Sequence, residues 1–148
     1  MTLADTLSPE HYREIISESA VDPAVAEARG YRTLHGTADD RDLLTEAGYG
    51  PHLVDGEGTY PALLIPMRNA HGEVAAYQVK PASPAVRVDR ASGKVRTLKY
   101  VSPPKRPAIV DVPEFTRRRL AENPSASVWI TEGMICTSVV CSVLMSQL

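Results

Sequence analysis

The apolar positions in the first third of the chain recur at helical spacing, and each run opens with a helix-capping residue. Ser8 and Pro9 supply an N-cap and a first-turn proline, and Tyr12, Ile15 and Ile16 follow as an apolar stripe. This pattern predicts a short helix that begins at Pro9.

The same signals predict two more helices. Asp22-Pro23 repeats the start, and Gly30 supplies the stop for a helix over 23–29. A third helix is predicted over 38–47, because acids crowd the N-terminal turn that the helix dipole favours and Gly48 follows its end. Three short helices also fit a helix-turn-helix reader of DNA. They carry more acid than base and would repel phosphate, which favours a helical cap over a sheet.

The middle of the chain changes to the short apolar runs of strands. After a loop or linker over 48–61, runs at 62–67 and 73–80 flank Gly72 and predict a β-hairpin. A second hairpin is predicted from 85–88 and 95–100. It ends before Pro103, because proline lacks the donor that a central strand needs.

The last third predicts a short strand over 109–112, a helix over 114–121 and a buried strand over 128–131. Helices followed by hairpins predict the α+β class. The expected order is short N-terminal helices (1–58), an antiparallel β-hairpin region (59–107) and a C-terminal α/β unit (108–148).

The composition is that of a globular chain. Its 148 residues are 43% hydrophobic, which is enough for a core. No charged leader opens it, and its apolar C-terminal run is too short and too often broken by Ser and Thr to span a bilayer, so we expect no membrane partner and a cytoplasmic location. Cys136 and Cys141 have no histidine nearby and are expected to be core thiols.

A formal net charge of −2 hides a strong asymmetry between the two halves of the chain. Residues 1–79 carry thirteen Asp and Glu against five Arg, a net charge of −8, whereas residues 80–148 carry eleven Lys and Arg against five Asp and Glu, a net charge of +6. One basic patch, opposed only by Asp89, consists of Lys80, Arg87, Arg90, Lys94, Arg96, Lys99, Lys105 and Arg106. Such a patch suits a polyanion, and a solvated loop and hairpin surface is the alternative interpretation.

Three segments, taken in order, resemble the catalytic core of bacterial DNA primases. They are the hairpin over 63–80 with Pro66-Met67-Arg68-Asn69 before its turn, the element Lys99-Tyr100-Val101-Ser102-Pro103, and the apolar run Val128-Trp129-Ile130-Thr131 that ends in Glu132-Gly133. The last of these resembles the Toprim strand that ends in Glu-Gly, so the resemblance implies a primase-core-like hairpin region followed by an incomplete α/β Toprim-like unit, a truncated strand and helix over 108–148.

The chain as a whole resembles the uncharacterised family named domain of unknown function 3854 (DUF3854). The matching opening patterns are Leu7-Ser8-Pro9-Glu10 and Ala28-Arg29-Gly30-Tyr31-Arg32-Thr33. Members of that family stand at the front of phage and plasmid replication proteins with Toprim-like or primase-helicase regions. The resemblance therefore implies a role in DNA replication on a mobile genetic element.

The primase resemblance implies a basic ridge that holds template and nucleotide, at Arg68, Lys80, Lys99 and Tyr100. Guanidinium and ammonium groups neutralise phosphate, and a tyrosine face can stack on a base. Lys105 of the same basic patch is added as a phosphate contact. The expected partners are single-stranded DNA or RNA, and replication proteins. The alternatives are that Tyr100 is a packed strand residue and that Lys80 is a solvated strand end.

Glu132 matches the Toprim glutamate, so the resemblance implies a catalytic carboxylate that transfers protons beside a metal ion. The alternative is an acid that favours the dipole of a following helix. A Toprim site also needs an Asp-x-Asp pair for Mg²⁺, and no aspartate follows Glu132. We therefore predict no metal ligands and no cofactor for this chain, with Mg²⁺ expected only in a complete Toprim domain, and its status as an enzyme stays open.

Residues 134–148 carry no charge and are rich in β-branched side chains, which is poor for a helix and favours aggregation. The family resemblance implies a polar, often Lys-rich helix here. The difference indicates a frameshift or premature stop after Gly133, and a natural short variant is the alternative. An apolar tail of this kind can drive oligomerisation.

Two classes of function follow. The first is a truncated Toprim-like or primase-like protein that binds nucleic acid through the basic ridge and lacks catalysis of its own. The second is a non-enzymatic accessory or protein-interaction module, in which the acidic helical half binds a basic partner on the same scaffold.

Overall fold

The computed structural model describes residues 2–89, 91–105, 107, 109–128 and 130. Within them the chain folds as a mixed α+β structure, which confirms the predicted class. The helices are α1 (Leu3–Thr6), α2 (Pro9–Tyr12), α3 (Pro23–Arg29), α4 (Ala38–Glu46), α5 (Pro51–Val54) and α6 (Glu114–Glu122). The strands are β1 (Arg32–Leu34), β2 (Ala62–Arg68), β3 (Val74–Lys80), β4 (Ala85–Val88) and β5 (Val95–Leu98).

Capping chemistry starts α2 and α3 where the sequence predicts them. Ser8 Oγ accepts a hydrogen bond from the His11 N–H at 3.3 Å, and Asp22 Oδ1 accepts one from the Ala24 N–H at 2.8 Å. α3 ends at Gly30, whose φ of +76° is a left-handed conformation that a side chain would strain. The predicted boundaries of this helix are confirmed.

α2 continues into a π-helical segment over Arg13–Glu18, a feature that the sequence did not predict. Its backbone bonds widen to five residues, as in the bond of 2.9 Å from the Ser19 N–H to the Glu14 carbonyl. Ile15 on this segment is fully buried, and the Glu14 side chain reaches Lys80 on β3. The widened turn therefore lets adjacent residues reach the core and the sheet edge.

α4 begins with a reciprocal cap between Thr37 and Asp40. Thr37 Oγ1 accepts from the Asp40 N–H, and Asp40 Oδ2 accepts from the N–H groups of Thr37, His35 and Gly36 at 2.9–3.2 Å. Arg32 Nη2 lies 3.3 Å from the other oxygen. Burial acts to raise the pKa of Asp40, but the hydrogen bonds from His35 and Thr37 and the charge of Arg32 outweigh it and hold the pKa below its usual value.

The larger sheet has the order β1–β2–β3, and both pairings are antiparallel. Leu64 of the central strand β2 pairs with Arg32 on one side and Val79 on the other. β1, which the sequence did not predict, extends no further along β2 than Leu64. Pro66 lies beyond that end, where the missing proline N–H leaves no ladder bond unmade.

Alternate residues of β2 face two separate apolar cores. The first core comprises Leu3, Leu7, Ile15, Val21, Val25, Ala26, Tyr31, Leu63 and Ile65. The second core comprises Leu34, Leu44, Tyr49, Leu53, Val54, Ala62, Leu64 and Val79. The sheet therefore lies between a layer of α1–α3 and a layer of α4–α5, and residues on both sides of position 58 build the same two cores.

The second hairpin is a two-stranded sheet of its own. β4 and β5 pair as predicted, although β5 ends at Leu98 and not at residue 100. Its side chains are largely in solvent, since Val86, Val88 and Val95 are 66%, 56% and 65% exposed. We call β4, β5 and the turn between them the arm.

Two short helices escaped the sequence analysis. α5 lies inside the loop predicted over 48–61, with Pro51 at its first position and Leu53 and Val54 buried. α1 precedes the predicted start at Ser8. Each has four residues, too few to show a helical period.

The C-terminal part differs most from the prediction. α6 confirms the helix expected over 114–121, but residues 109–112 form no strand. Val128 and Ile130 also lie outside any strand and are 52% and 90% exposed, so the predicted buried strand over 128–131 is wrong at both of its described residues. The described portion of 108–148 contains the helix of the expected α/β unit without a strand. Every helix within the described ranges falls short of the length or apolar character of a bilayer span.

Candidate nucleic-acid interface

Lys80 and Lys99 meet at one end of the larger sheet, beside the carboxylate of Glu14. Lys80 Nζ pairs with Glu14 Oε2, and the two side chains are only 21% and 17% exposed. Lys99 Nζ lies 3.9 Å from Glu14 Oε1 and is 63% exposed. One carboxylate therefore faces two ammonium groups. Lys80 acts chiefly as a tie between the π-helical segment and β3, whereas Lys99 stays open to solvent.

A buried tyrosine holds the backbone that follows Lys99. The Tyr49 hydroxyl lies 2.8 Å from the Tyr77 carbonyl and 3.0 Å from the Val101 carbonyl. Val101 and Val79 exchange both backbone hydrogen bonds, at 2.7 and 2.9 Å. Burial raises the pKa of Tyr49, so its hydroxyl remains a donor to these carbonyls.

Tyr100 is half-buried, and its ring packs against the first core. Lys99 Nζ lies 5.5 Å from the ring centroid, within the range of a cation–π contact. The ring therefore supports the ammonium group of Lys99. This placement fits the packed-residue interpretation of Tyr100 better than an open stacking platform.

Arg68 lies at the opposite end of the sheet from Lys80. Lys80 pairs with Leu63, and Arg68 is five residues further along β2, about 16 Å away at the usual rise of a strand. Arg68 Nη1 donates to the Gly72 carbonyl at 3.0 Å, which closes the β2–β3 turn. Two residues of the predicted ridge, Lys80 and Arg68, therefore lie at opposite ends of the sheet.

A buried ion pair adjoins Arg68. Asp111 accepts from the Arg68 backbone N–H at 2.7 Å through Oδ1 and pairs with Arg29 through Oδ2. The side chains of Arg29 and Asp111 are 3% and 4% exposed, and Nε and Nη2 of Arg29 have no hydrogen-bond partner among the described residues. The Tyr31 ring centroid lies 6.0 Å from the guanidinium carbon of Arg29. This cluster anchors residues 111–112 to the sheet and makes Arg68 part of a structural joint.

Arg117 of α6 lies over the same β2–β3 turn. Its Nη1 donates to the Val112 carbonyl at 2.7 Å, and its guanidinium atoms lie 3.0–3.2 Å from where a Cβ on Gly72 would stand. Gly72 has φ +91°, so a side chain there would be strained, and the Arg117 guanidinium would have to shift by a few tenths of an ångström. The sequence does not predict a joint of Arg29, Asp111 and Arg117, because no local signal marks these three distant residues as neighbours.

In the part of the chain that the structure describes, the arginines of the arm form no ion pair with an acid. Arg87 on β4 and Arg96 on β5 are paired in the register, directly opposite each other, and both are exposed. Like charges in that position repel, which costs stability unless an anion lies between them. Lys94 is exposed in the same hairpin.

The one acid of the arm is engaged in its turn. Asp89 Oδ1 accepts from the N–H groups of Ser92 and Ala91 at 3.0 and 2.9 Å. The bonds from Ser92 and Ala91 lower the pKa of Asp89, with a smaller contribution from Arg87. Asp89 therefore shapes the turn and offsets little of the positive charge on Arg87 and Arg96.

The remaining residues of the sequence predictions are Lys105 and several that lie beyond the described ranges. Lys105 is exposed, at a backbone φ of +61°. Arg90, Arg106, Glu132, Cys136, Cys141 and the tail over 134–148 lie outside the described residues. Among the residues that the structure does describe, no three His, Cys, Asp or Glu side chains gather as a metal ion would require.

Comparison of the chain with models of known protein families, with curated proteins and with solved structures found no match.

Proposed function

We propose that this protein binds single-stranded nucleic acid through the arm and the adjoining Lys99, without catalysis by the described residues. The observation that carries the proposal is the exposed cross-strand pair of Arg87 and Arg96. In solution the two guanidinium groups repel each other, and a phosphate between them would turn that repulsion into two charge-assisted contacts. The sequence resemblance to primase-like replication proteins supports the same class of ligand.

The exposed valines of the arm favour a single strand over a duplex. Val86, Val88 and Val95 alternate with the arginines along the hairpin, so they occupy its other face. Unstacked bases can cover apolar surface of this kind, whereas a duplex offers mainly phosphates and groove edges. The arm thus provides phosphate contacts on one face and base contacts on the other.

The contacts of the predicted ridge residues support different roles for them in this proposal. Lys80 and Arg68 are bound to groups of the protein itself, so they contribute to folding more than to nucleic-acid affinity. Lys99 and Lys105 are exposed and remain phosphate contacts in the proposal. The proposed interface therefore consists of the arm with Lys99 and Lys105, whereas the sequence predicted a ridge on the larger sheet.

The test is binding of a labelled single-stranded oligonucleotide, measured by fluorescence anisotropy over a range of salt concentrations. Each phosphate contact that is removed should flatten the plot of log affinity against log salt by about 0.7. The variant Arg87→Ala/Arg96→Ala should therefore lose about 1.4 of the slope and bind more weakly at every salt concentration.

The matched control removes the same charge from the acidic half. Arg13 and Arg41 are 67% and 51% exposed and pair with acids of their own neighbourhood. Arg13→Ala/Arg41→Ala should bind like the wild type. Equal affinities for wild type and both double variants, or no salt-dependent binding at all, would refute the proposal. Tighter binding to the duplex of the same sequence would refute the preference for single strands.

A further inference from the structure

A groove of about 510 Å³ lies between α4 and β3, on the side of the sheet away from α1–α3. Three of its lining residues, Asp39, Asp42 and Glu46, are spaced three and four residues apart and so lie on one face of α4. Apolar side chains line the rest, among them Leu43, Val74 and Tyr77. The groove therefore combines a row of carboxylates with an apolar surface.

No described cation pairs with these three carboxylates. The nearest arginines in sequence are taken by other acids, since Arg32 pairs with Asp40 at 3.3 Å and Arg41 with Asp55 at 3.8 Å. Like charges on one helix face destabilise it slightly, and a basic partner would relieve that repulsion. The surface that fits this groove carries both basic and apolar side chains.

The arm is a surface of that kind. It presents Arg87 and Arg96 on one face and the exposed valines on the other, and a two-stranded hairpin is barely stable by itself in water. The arm cannot be the occupant within this molecule as it is folded, because no residue of β4 or β5 lines the groove. The arm leaves β3 at Lys80, whereas the groove is lined by the opposite end of that strand, over 74–77.

We propose that the groove between α4 and β3 receives the arm of a second copy of this chain. The contact joins two different surfaces, so it builds either a symmetric dimer in which both arms are exchanged or a head-to-tail ring or open chain. It is held mainly by opposite charges near the surface, so it is weak and sensitive to salt. Nucleic acid on the arm would compete with it.

The experiment measures the mass of the full chain by analytical ultracentrifugation across a range of protein concentrations. The groove variant is Asp42→Arg/Glu46→Arg, and the arm variant is Arg87→Glu/Arg96→Glu. Each variant should be monomeric alone, because its arm and its groove carry charges of the same sign and repel each other. A mixture of the two should associate, because every arm then finds a groove of opposite charge. Association of the wild type should weaken about tenfold or more between roughly 0.05 and 0.5 M salt.

The control is Glu10→Arg/Glu27→Arg, which makes the same charge change at exposed positions on the layer of α2 and α3 and should associate like the wild type. Melting curves of the exposed-site variants should match the wild type within a few degrees. Association that persists in both groove and arm variants, or that strengthens with salt, would overturn the proposal in favour of contact through the apolar tail. A wild type that is monomeric at every concentration would also overturn it.

The result is separable from the nucleic-acid proposal. The groove variant should lose self-association and keep its affinity for the oligonucleotide, whereas the arm variant should lose both. A chain that associates through the groove but binds no oligonucleotide would leave this inference standing and refute only the proposed function.

Discussion

Basic side chains have different surroundings in two regions of this molecule, the body and the arm. In the body, formed by the larger sheet and its helices, basic side chains face acids: Arg29 faces Asp111, Arg32 faces Asp40, and Lys80 faces Glu14. In the arm, Arg87 faces Arg96. The body uses positive charge to join distant segments, whereas the arm keeps it available in solvent.

The difference shows why a count of basic residues is a poor guide to a binding surface. Lys80 and Arg87 belong to the same basic patch of the sequence, but only Arg87 projects from an element with no acid opposite. Desolvation and partnering decide what a charge can do, and neither is visible in composition. Four changes test the comparison, beginning with the largest expected effect.

Removal of Asp111 should destabilise the body most. Asp111→Ala leaves the buried Arg29 charge without its partner and the Arg68 N–H without its acceptor, at a cost of about 3–5 kcal/mol in the free energy of unfolding. Urea denaturation measures the loss. The double variant Arg29→Met/Asp111→Ala removes both charges and should lose less than the single one. Asp55→Ala breaks an exposed pair and should cost no more than about 1 kcal/mol.

Asp40→Asn should cost about 1–3 kcal/mol near neutral pH, because the neutral amide keeps one acceptor oxygen for the backbone N–H groups but places an NH2 donor where the second carboxylate oxygen meets Arg32. The pKa of Asp40 is lowered in the folded protein, so its stabilisation is full above the unfolded pKa and is lost as pH falls below about 4. The denaturation midpoint of the wild type should therefore drop in acid more steeply than that of Asp40→Asn. Asp39→Asn, an exposed neighbour, should leave the acid dependence of the wild type nearly intact.

Tyr49→Phe should cost about 1–2 kcal/mol, since two carbonyls lose the hydroxyl that bridges them. Faster amide hydrogen exchange at Val79 and Val101 would locate the effect at the segment that carries Lys99. Tyr60→Phe removes the bond of 2.9 Å to the Val54 carbonyl and should leave those two amides protected. Unchanged exchange in Tyr49→Phe would mean that the tyrosine does not hold this segment.

Arg87→Thr should have the smallest effect and the opposite sign. It ends the repulsion with Arg96 and places a β-branched residue in the strand, which should raise stability by about 0.2–1 kcal/mol. The gain should shrink as salt is added, because salt screens the repulsion in the wild type. A loss of stability as large as that of Asp111→Ala would show that Arg87, like the arginines of the body, forms a stabilising contact, and the contrast between arm and body would then be wrong.

Local signals in the sequence were enough for much of the secondary structure. Ser8-Pro9 and Asp22-Pro23 start helices, Gly30 ends one, and Gly72 lies in the turn of the first hairpin. These elements are predictable because caps, prolines and glycines act within a few residues of themselves. β1 was not predicted, because its three residues are too few to show an alternation of apolar and polar positions. It is a strand only through its pairing with β2.

The failure at 128–131 has a related cause. Three apolar residues and a threonine fit a buried strand in composition, but a strand needs a neighbour to pair with, and Val128 and Ile130 are exposed. The resemblance of a short motif indicates a strand at this position, but it does not show that a neighbouring strand is present to pair with it and bury it.

The candidate site divides in the same way. The sequence alone determined that positive charge is concentrated after residue 79, and it identified the second hairpin that carries part of that charge. Only the tertiary structure decided which charges are free. Lys80 is paired with an acid 66 residues away and Arg29 with one 82 residues away. Such pairs depend on how distant segments pack against a shared core, and the energy of a charge depends on those neighbours and on its exposure to water.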